Sequence, residues 1–368
     1  MTDMMRWFLL AVLLVHGLIH LMGFAKAFGF AELTQLTQPI SKPMGLVWLL
    51  AAFAMLALIL TPPRAFWIVG LVAITLSQIV ISSSWSDAKF GTIANVIVLL
   101  AVVYSFVSQG PISARAAFAN DARALLVPGA AQVVTEADLQ SLPPPVQQYL
   151  RVTGSVGQPR VFNFRATWKG RIRGSATDPW MPFTAQQFNT YGSMPARLFL
   201  MDAVMKGLPV DVFHRFVGEP ATFQVRLLSV GTVVDAKGPE MNRAETVTLF
   251  NDLCLLAPSM LIDRSIRWEP IDSKSARGFF TRGAQTVSAE LLFDEKGELV
   301  DFISDDRSAA SPDGKSFTTM RWSTPVRDFR AFGERRVPVF GEAKWHDPAG
   351  TWTYGEFELQ HIAFNVAE

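Results

Sequence analysis

The sequence predicts an α+β protein: an N-terminal four-helix transmembrane bundle precedes a curved antiparallel β-sheet domain that packs on one or a few helices. Three observations support this fold class. Four apolar segments fill the first 110 residues. Charged residues avoid those segments and collect after residue 110. From residue 159 onward, apolar residues recur at every second position, which is the period of a half-buried strand.

The apolar segments have close to the length that a membrane crossing needs. A helix rises about 1.5 Å per residue, so about 20 residues cross a hydrocarbon core of about 30 Å. Residues 1–110 contain eight charged side chains, all at or beyond a segment end, as a spanning bundle requires. We therefore predict a transmembrane region over residues 1–110. Its segments are 7–25, 44–60, 65–81 and 90–107.

Two histidines lie inside the first segment. His16 and His20 are four residues apart and therefore share one helix face. A metal or haem would need further ligands, and the other three segments contain no His, Cys, Asp or Glu. We predict a polar site in the membrane in which the histidines hydrogen-bond to Ser77, Gln78 or Asn95, and we predict no metal and no cofactor.

The rest of the chain divides into a helical linker, residues 111–158, and an antiparallel β-rich domain, residues 159–368. Its clearest strand is 162–172, where apolar and polar residues alternate. Short turns such as 347–350 join later strands, so those strands must be antiparallel. A single internal strand is also predicted over 317–329. One apolar helix, about 239–262, interrupts the strands, and we expect it to pack on the concave face of the sheet.

Aromatic residues are abundant in the soluble part, which contains six of the ten tryptophans. They fill either a large core or an apolar pocket between sheet and helix. If there is a pocket, we predict that it is lined by Trp168, Phe183, Trp268, Trp322 and Trp345.

Catalytic motifs are sparse. His346, Asp347 and His361 lie on the last predicted hairpin and are the candidates for a catalytic site, although a His-Asp pair beside a turn also forms surface hydrogen bonds. His214 has no acid or thiol beside it in the sequence. The chain has no glycine-rich phosphate loop, nucleophile elbow or clustered Cys and His spacing.

The charge pattern restricts partners and location. The soluble part is nearly neutral, which argues against a nucleic-acid partner. With four crossings, the N-terminus and the soluble domain share one side of the membrane, and this side has slightly more positive charge, which favours the cytoplasm. The positive residues on the side of the soluble domain are Arg6, Arg64, Arg115 and Arg123. Those on the opposite side are Lys26, Lys42 and Lys89.

Two stretches carry a resemblance. Residues 142–154, Leu-Pro-Pro-Pro-Val-Gln-Gln-Tyr-Leu-Arg-Val-Thr-Gly, and residues 180–187, Trp-Met-Pro-Phe-Thr-Ala-Gln-Gln, resemble an uncharacterised bacterial domain family of unknown function. The likeness covers nearly all of 140–366 and implies no assigned activity. The order of strands around one helix also resembles the half-barrel of periplasmic lipoprotein carriers, which would favour the periplasm.

Three functions agree with these features. The first is a membrane-tethered domain that binds a lipophilic small molecule or a lipid-modified partner in a pocket between sheet and helix. The second is a membrane-associated hydrolase or transferase that uses His346, Asp347 or His361. The third is a structural or regulatory subunit that binds another membrane protein through its helices. In each case the lipid bilayer is a partner.

Overall fold

A computed structural model describes residues 3–126, 132–192, 195–311 and 313–367. The chain divides into two compact units. One comprises Met1–Ala117 with Leu228–Val230, and the other comprises Phe118–Leu227 with Gly231–Glu368. Residues 127–131, which fall in the predicted linker, lie outside the described residues.

The first unit is helical. Among the described residues, four helical stretches are long and apolar enough to cross a membrane. Proline and serine define where two of them begin: Ser41 caps the second helix by accepting from the Met44 amide, and Pro63 occupies the first turn of the third, where a missing N–H costs nothing. The helices are α1 (Asp3–Phe28), α2 (Lys42–Ala57, extended by the 3-10 turn Leu58–Leu60), α3 (Pro63–Ser83), α4 (Trp85–Ala88) and α5 (Gly91–Gln109).

Close packing in this unit depends on glycine. A Cβ on Gly23 of α1 would lie 2.1 Å from the Trp48 ring of α2, and a Cβ on Gly70 of α3 would lie 2.3 Å from a methyl of Val102 in α5. Neither neighbour is at the end of a long flexible side chain. The helices therefore approach each other as closely as they do because these two positions have no side chain.

The second unit is mainly one sheet. Three helices flank or enter it: α6 (Ala114–Ala124, which begins in the first unit), α7 (Pro144–Val152) and α8 (Pro239–Leu256), with 3-10 turns at Glu136–Leu139 and Pro258–Ile262. The strands are β1 (Asn163–Ile172), β2 (Met181–Thr190), β3 (Ala196–Met205), β4 (Leu208–Phe216), β5 (Thr222–Leu227), β6 (Gly231–Lys237), β7 (Ile266–Pro270), β8 (Ser275–Arg282), β9 (Gln285–Phe293), β10 (Leu299–Ser304), β11 (Ser308–Ala310), β12 (Phe317–Thr319), β13 (Arg321–Ser323), β14 (Val326–Phe332), β15 (Arg335–Asp347) and β16 (Gly350–Phe364).

Within the described residues, fourteen strands form a single antiparallel sheet in the order β6-β5-β4-β3-β2-β1-β16-β15-β13-β10-β9-β8-β7, with β14 also paired to β15. Strands β11 and β12 form a separate pair. The α+β fold class predicted from the sequence is thus confirmed. The single strand predicted over 317–329 is wrong: it is divided among β12, β13 and β14, and Pro325 lies at the last break, because proline cannot donate to a ladder.

The sheet curls around α8. This helix has 18 residues and is therefore about 27 Å long. It contacts β5 and β6 near one edge of the sheet and β9 and β10 near the other. In a flat sheet, β5 and β9 would be about 43 Å apart, nine strand spacings. The helix reaches both because the sheet is strongly curved.

Helix α8 is buried on every side rather than along one stripe. Phe250 is inaccessible, and so are the polar Glu245 and Thr246. Phe250 stacks on Phe280 of β8 with ring centroids 5.4 Å apart. The helix therefore occupies the concave face of the sheet, and it brings charged groups into the interior.

Candidate functional site

The charges of α8 meet partners on β3 and β4. The Nε atom of Arg197 donates to Asp252 Oδ2 at 2.7 Å, and its Nη1 donates to Glu245 Oε2 at 3.2 Å. His214 Nδ1 lies 2.8 Å from Glu245 Oε1. Arg197, Glu245 and Asp252 are all buried. One guanidinium thus bridges two carboxylates that lie two helical turns apart on α8.

Two side-chain amides also donate hydrogen bonds to Asp252. Its Oδ2 atom also accepts from Gln187 Nε2 at 2.7 Å and from Asn189 Nδ2 at 3.0 Å. Both amides project from β2 and are buried. Burying a carboxylate is expensive unless it is paired and hydrogen-bonded, and Asp252 has three donors.

Burial and the neighbouring positive charges shift the pKa of Glu245 in opposite directions. Burial raises the pKa of Glu245, but the positive charge of His214 and Arg197 and the His214 hydrogen bond outweigh it, and the pKa falls to about 2. Burial lowers the pKa of His214, against the effect of Glu245. Arginine stays charged at every ordinary pH. Arg197 is therefore the cation that keeps Glu245 ionised when His214 is neutral.

A third cation lies on the same side of α8. Arg307 donates from Nη1 to the Ala244 carbonyl at 2.9 Å and also to Thr248 Oγ1. Its guanidinium carbon lies 4.4 Å from the Trp322 ring centroid and 5.8 Å from that of Trp345, a cation–π geometry. Polar groups of α8 thus have partners both on the sheet and in the segment that follows β10.

A cleft of about 700 Å³ opens where α8 ends. Leu253 of α8, Met260 of the following 3-10 turn and Phe280 of β8 line it. Arg282, at the end of β8, and Tyr191, just after β2, also line it. The volume lies within the range of small-molecule sites, about 300–1,000 Å³. The lining thus combines apolar side chains with one buried cation, Arg282, and two acids, Glu219 and Asp263.

The five aromatics predicted to line a pocket lie in three places. Trp168 and Phe183 both contact Phe357, at 6.4 and 5.3 Å between centroids. Trp322 and Trp345 are paired across β13 and β15. Trp268 lies on β7, where its Nε1 donates to the Leu261 carbonyl. None of the five lines the cleft that opens beside Leu253, and their role in ligand binding stays a prediction.

The catalytic candidates are also separated. His346 Nε2 lies 2.8 Å from Ser323 Oγ, and His346 Nδ1 lies 2.9 Å from Thr351 Oγ1. Asp347 instead accepts from the amides of its own turn and from Trp352 Nε1. His361 is ten residues beyond Thr351 on β16, about 30 Å along the strand. The Ser323–His346 pair is close enough for proton transfer, but its orienting partner is a hydroxyl rather than an acid. A catalytic role for His346, Asp347 and His361 stays a prediction.

The polar residues predicted for the bundle form one hydrogen-bonded network. His16 Nε2 lies 3.1 Å from Ser77 Oγ and 3.0 Å from Asn95 Oδ1, and His20 Nε2 lies 2.8 Å from Ser77 Oγ. Asn95 Nδ2 donates to Gln78 Oε1 at 2.9 Å. The network joins α1, α3 and α5, and within it the Nδ1 atom of His20 is buried without a hydrogen-bond partner among the described residues. In the part of the chain that the structure describes, no three His, Cys, Asp or Glu residues cluster closely enough to hold a metal.

The sequence reasoning missed the residues of the α8 network and the cleft. His214 has an acid partner after all, because folding brings Glu245 to it from 31 positions away. A signal for the network existed: Glu245 and Asp252 are seven residues apart on one helix face, and Arg197 interrupts an apolar strand. For Arg282 we find no such signal.

Fold and cleft together define a class of protein: an antiparallel sheet that wraps a buried helix, in one chain with four helices apolar enough to cross a membrane. The chain belongs to the DUF6544 family of unknown function, whose model matches residues 132–357. The family resemblance predicted from residues 142–154 and 180–187 is thereby confirmed. Among curated proteins, none matches the chain.

Two solved structures are similar to part of this chain and share little sequence with it. A domain from Vibrio parahaemolyticus named for outer membrane lipoprotein sorting is 8% identical, with a TM-score of 0.33, and the match covers 56% of this chain and 86% of that domain. A LolA superfamily protein from Nitrosomonas europaea is 11% identical, with a TM-score of 0.33, and the match covers 60% of this chain and 93% of that protein.

Removing Arg197 tests the network. We expect Arg197→Met to lower the free energy of unfolding of the sheet domain by about 3–5 kcal/mol, because two buried carboxylates lose their cation. The measurement is urea unfolding of the full-length protein in mild detergent, followed by tryptophan fluorescence. The matched control is Arg267→Met, which removes an exposed ion pair with Glu269 and should shift the midpoint little. Equal effects of the two variants would contradict a dominant role for Arg197.

The network also predicts acid sensitivity. The unfolded chain protonates His214 near pH 6.5 and Glu245 near pH 4.5, whereas both groups have lower pKa values when folded. Their contribution to stability is therefore complete above about pH 6.5 and is lost as the pH falls towards 2. Urea midpoints measured between pH 8 and 3 should fall with acid. In Glu245→Gln the urea midpoint should depend less on pH below pH 4.5. An unchanged pH dependence in this variant would exclude Glu245 as the cause.

Proposed function

We propose that this chain is a multi-pass membrane protein whose sheet domain binds a lipophilic ligand, or the lipid group of a modified partner, in the cleft at the end of α8. The observation that carries the proposal is the lining: Leu253, Met260 and Phe280 form an apolar floor in a space of about 700 Å³. A cleft of this size and character is the usual form of a small-molecule site.

The polar residues of the cleft favour binding over catalysis. Asp263 is already engaged by Arg160 Nη2 at 2.7 Å and by Ser265. Among the described lining residues there is no His or Cys that could act as a base or a nucleophile. The side chains of the cleft can bind a ligand and hold its position. The Ser323–His346 pair lies elsewhere on the sheet.

Membrane attachment would increase the occupancy of such a site. A lipid or lipid-modified protein is confined to the bilayer, and a domain tethered to the same bilayer meets it at high effective concentration. Even modest intrinsic affinity then gives useful binding. In this proposal the four apolar helices hold the domain at the bilayer, and the cleft binds a ligand that comes from the same bilayer.

Photolabelling tests the site. Full-length protein in phosphatidylcholine nanodiscs is irradiated with palmitic acid that carries a diazirine in its chain, and the labelled peptides are identified by mass spectrometry. We expect labels within residues 253–284 and a several-fold loss in Ala284→Trp, because Ala284 lines the cleft and is exposed. The control is Ala349→Trp, on the exposed turn before β16. Absence of labels from 253–284 would refute the proposal.

The charge count further leads us to propose that the sheet domain faces the cytoplasm. In a Cys254→Ala background, which removes a buried thiol, the exposed Ala349 is replaced by Cys. A membrane-impermeant maleimide should label this Cys after lysis and not in intact bacterial cells. Labelling of intact cells would instead place the domain outside.

A further inference from the structure

Arg282 is the one described cation of the cleft whose bonds are incomplete. It is the last residue of β8 and only 6% exposed. Its Nε donates to the Pro195 carbonyl at 2.8 Å, while Nη2 is buried and has no hydrogen-bond partner among the described residues. Leaving a charged donor unpaired in the interior costs free energy. An acceptor brought by a ligand would recover it.

The surroundings of Arg282 hold it in place without satisfying it. Its guanidinium carbon lies 3.6 Å from the centroid of the Phe216 ring, so one face of the group is covered by an aromatic surface. A ring face attracts the charge but accepts no conventional N–H···O bond from the edge of the guanidinium. The group is therefore fixed in orientation, with donors left over.

Two acids line the cleft, Asp263 and Glu219, and neither takes the place of a ligand. Asp263 is bonded to Arg160. Glu219 is exposed, so water and salt screen its charge. Its charge opposes the effect of burial, which lowers the pKa of Arg282, yet no hydrogen bond joins the two residues in the described structure. Arg282 thus keeps a positive charge and unused donors beside the apolar floor.

We infer that Arg282 anchors the headgroup of the ligand, and that the ligand is an anionic amphiphile. Its carboxylate or phosphate accepts from the guanidinium of Arg282, and its hydrocarbon chain lies on Leu253, Met260 and Phe280. Charge-assisted bonds from arginine to these oxyanions are the strong class of hydrogen bond. The inference rests on the proposed function, since it names the class of molecule that the cleft takes.

The experiment measures competition against the diazirine palmitate in the full-length protein in nanodiscs. The unlabelled competitors are palmitate, hexadecanol, dipalmitoyl phosphatidate and inorganic phosphate. Palmitate and hexadecanol share a chain length, so the ratio of their competing concentrations isolates the charged group. We expect the wild-type protein to prefer palmitate over hexadecanol by about tenfold or more, the effect of one charged hydrogen bond. Inorganic phosphate, which has no chain, should not compete.

Arg282→Gln should reduce the preference for palmitate to near one, with labels still inside residues 253–284. The control Arg267→Gln, on exposed Arg267 of β7, should behave as wild type. Where palmitate is preferred over hexadecanol, the comparison with phosphatidate identifies the anion. A lower competing concentration for palmitate indicates a free carboxylate, a lower one for phosphatidate indicates a lipid phosphate, and either result supports the inference. The wild-type competition is informative even if Arg282→Gln does not fold.

Three outcomes would overturn the inference while leaving the proposed function intact, because labels would still lie in the cleft. One is equal competition by palmitate and hexadecanol in the wild-type protein. The second is a palmitate preference that survives Arg282→Gln. The third is competition by inorganic phosphate at the same concentration as palmitate, since the site would then bind a free anion. Absence of any label in the cleft is different, because it refutes the proposed function itself.

Discussion

The bridge from Arg197 to Glu245 and Asp252 is the interaction on which the sheet domain depends. A helix enclosed by a curved sheet has no wet face, so each polar group that it brings inside must find a partner in the sheet. Arg197 neutralises two carboxylates with one guanidinium, and the amides of β2 add further donors. Apolar contacts alone would hold the helix equally well in several rotations, whereas these directed bonds specify one.

The cleft follows from where this helix ends. Pro258 cannot continue the regular backbone of α8, and the chain leaves in a 3-10 turn. The sheet continues past that point, so strand β8 extends from Phe280, on which Phe250 of α8 stacks, to Arg282 beyond it. The apolar floor is thus a length of concave sheet and the end of a helix. A guanidinium at its wall is the feature that distinguishes it from unfilled core.

Much of the architecture could be predicted from the sequence because it depends on local residue patterns. The apolar segments, the alternation in β1 and the short turn at 347–350 depend on neighbouring residues. Strand β3 escaped prediction because Leu198 and Leu200 are as buried as Phe199 and Met201. A strand buried on both faces shows no alternation.

The candidate site could not be predicted in the same way. Its parts come from distant stretches of the chain, and Glu245 meets His214 and Arg197 only after the sheet has curled. The abundance of aromatic residues indicates a large buried apolar area, but composition does not show where a cleft lies within it. An unpaired nitrogen on Arg282 is a property of the folded arrangement alone.

The pairing of β1 with β16 has a consequence for how the protein is made. Phe164 lies opposite Phe364, so the centre of the sheet joins residues at the two ends of the domain. The middle of the sheet cannot form until the last strand has left the ribosome, by which time the apolar segments have already been synthesised. Contacts so distant in sequence form slowly, and unpaired strand edges are prone to aggregation until they form. We expect the domain to complete its sheet only after β16 has been synthesised, and to benefit from chaperones during that interval.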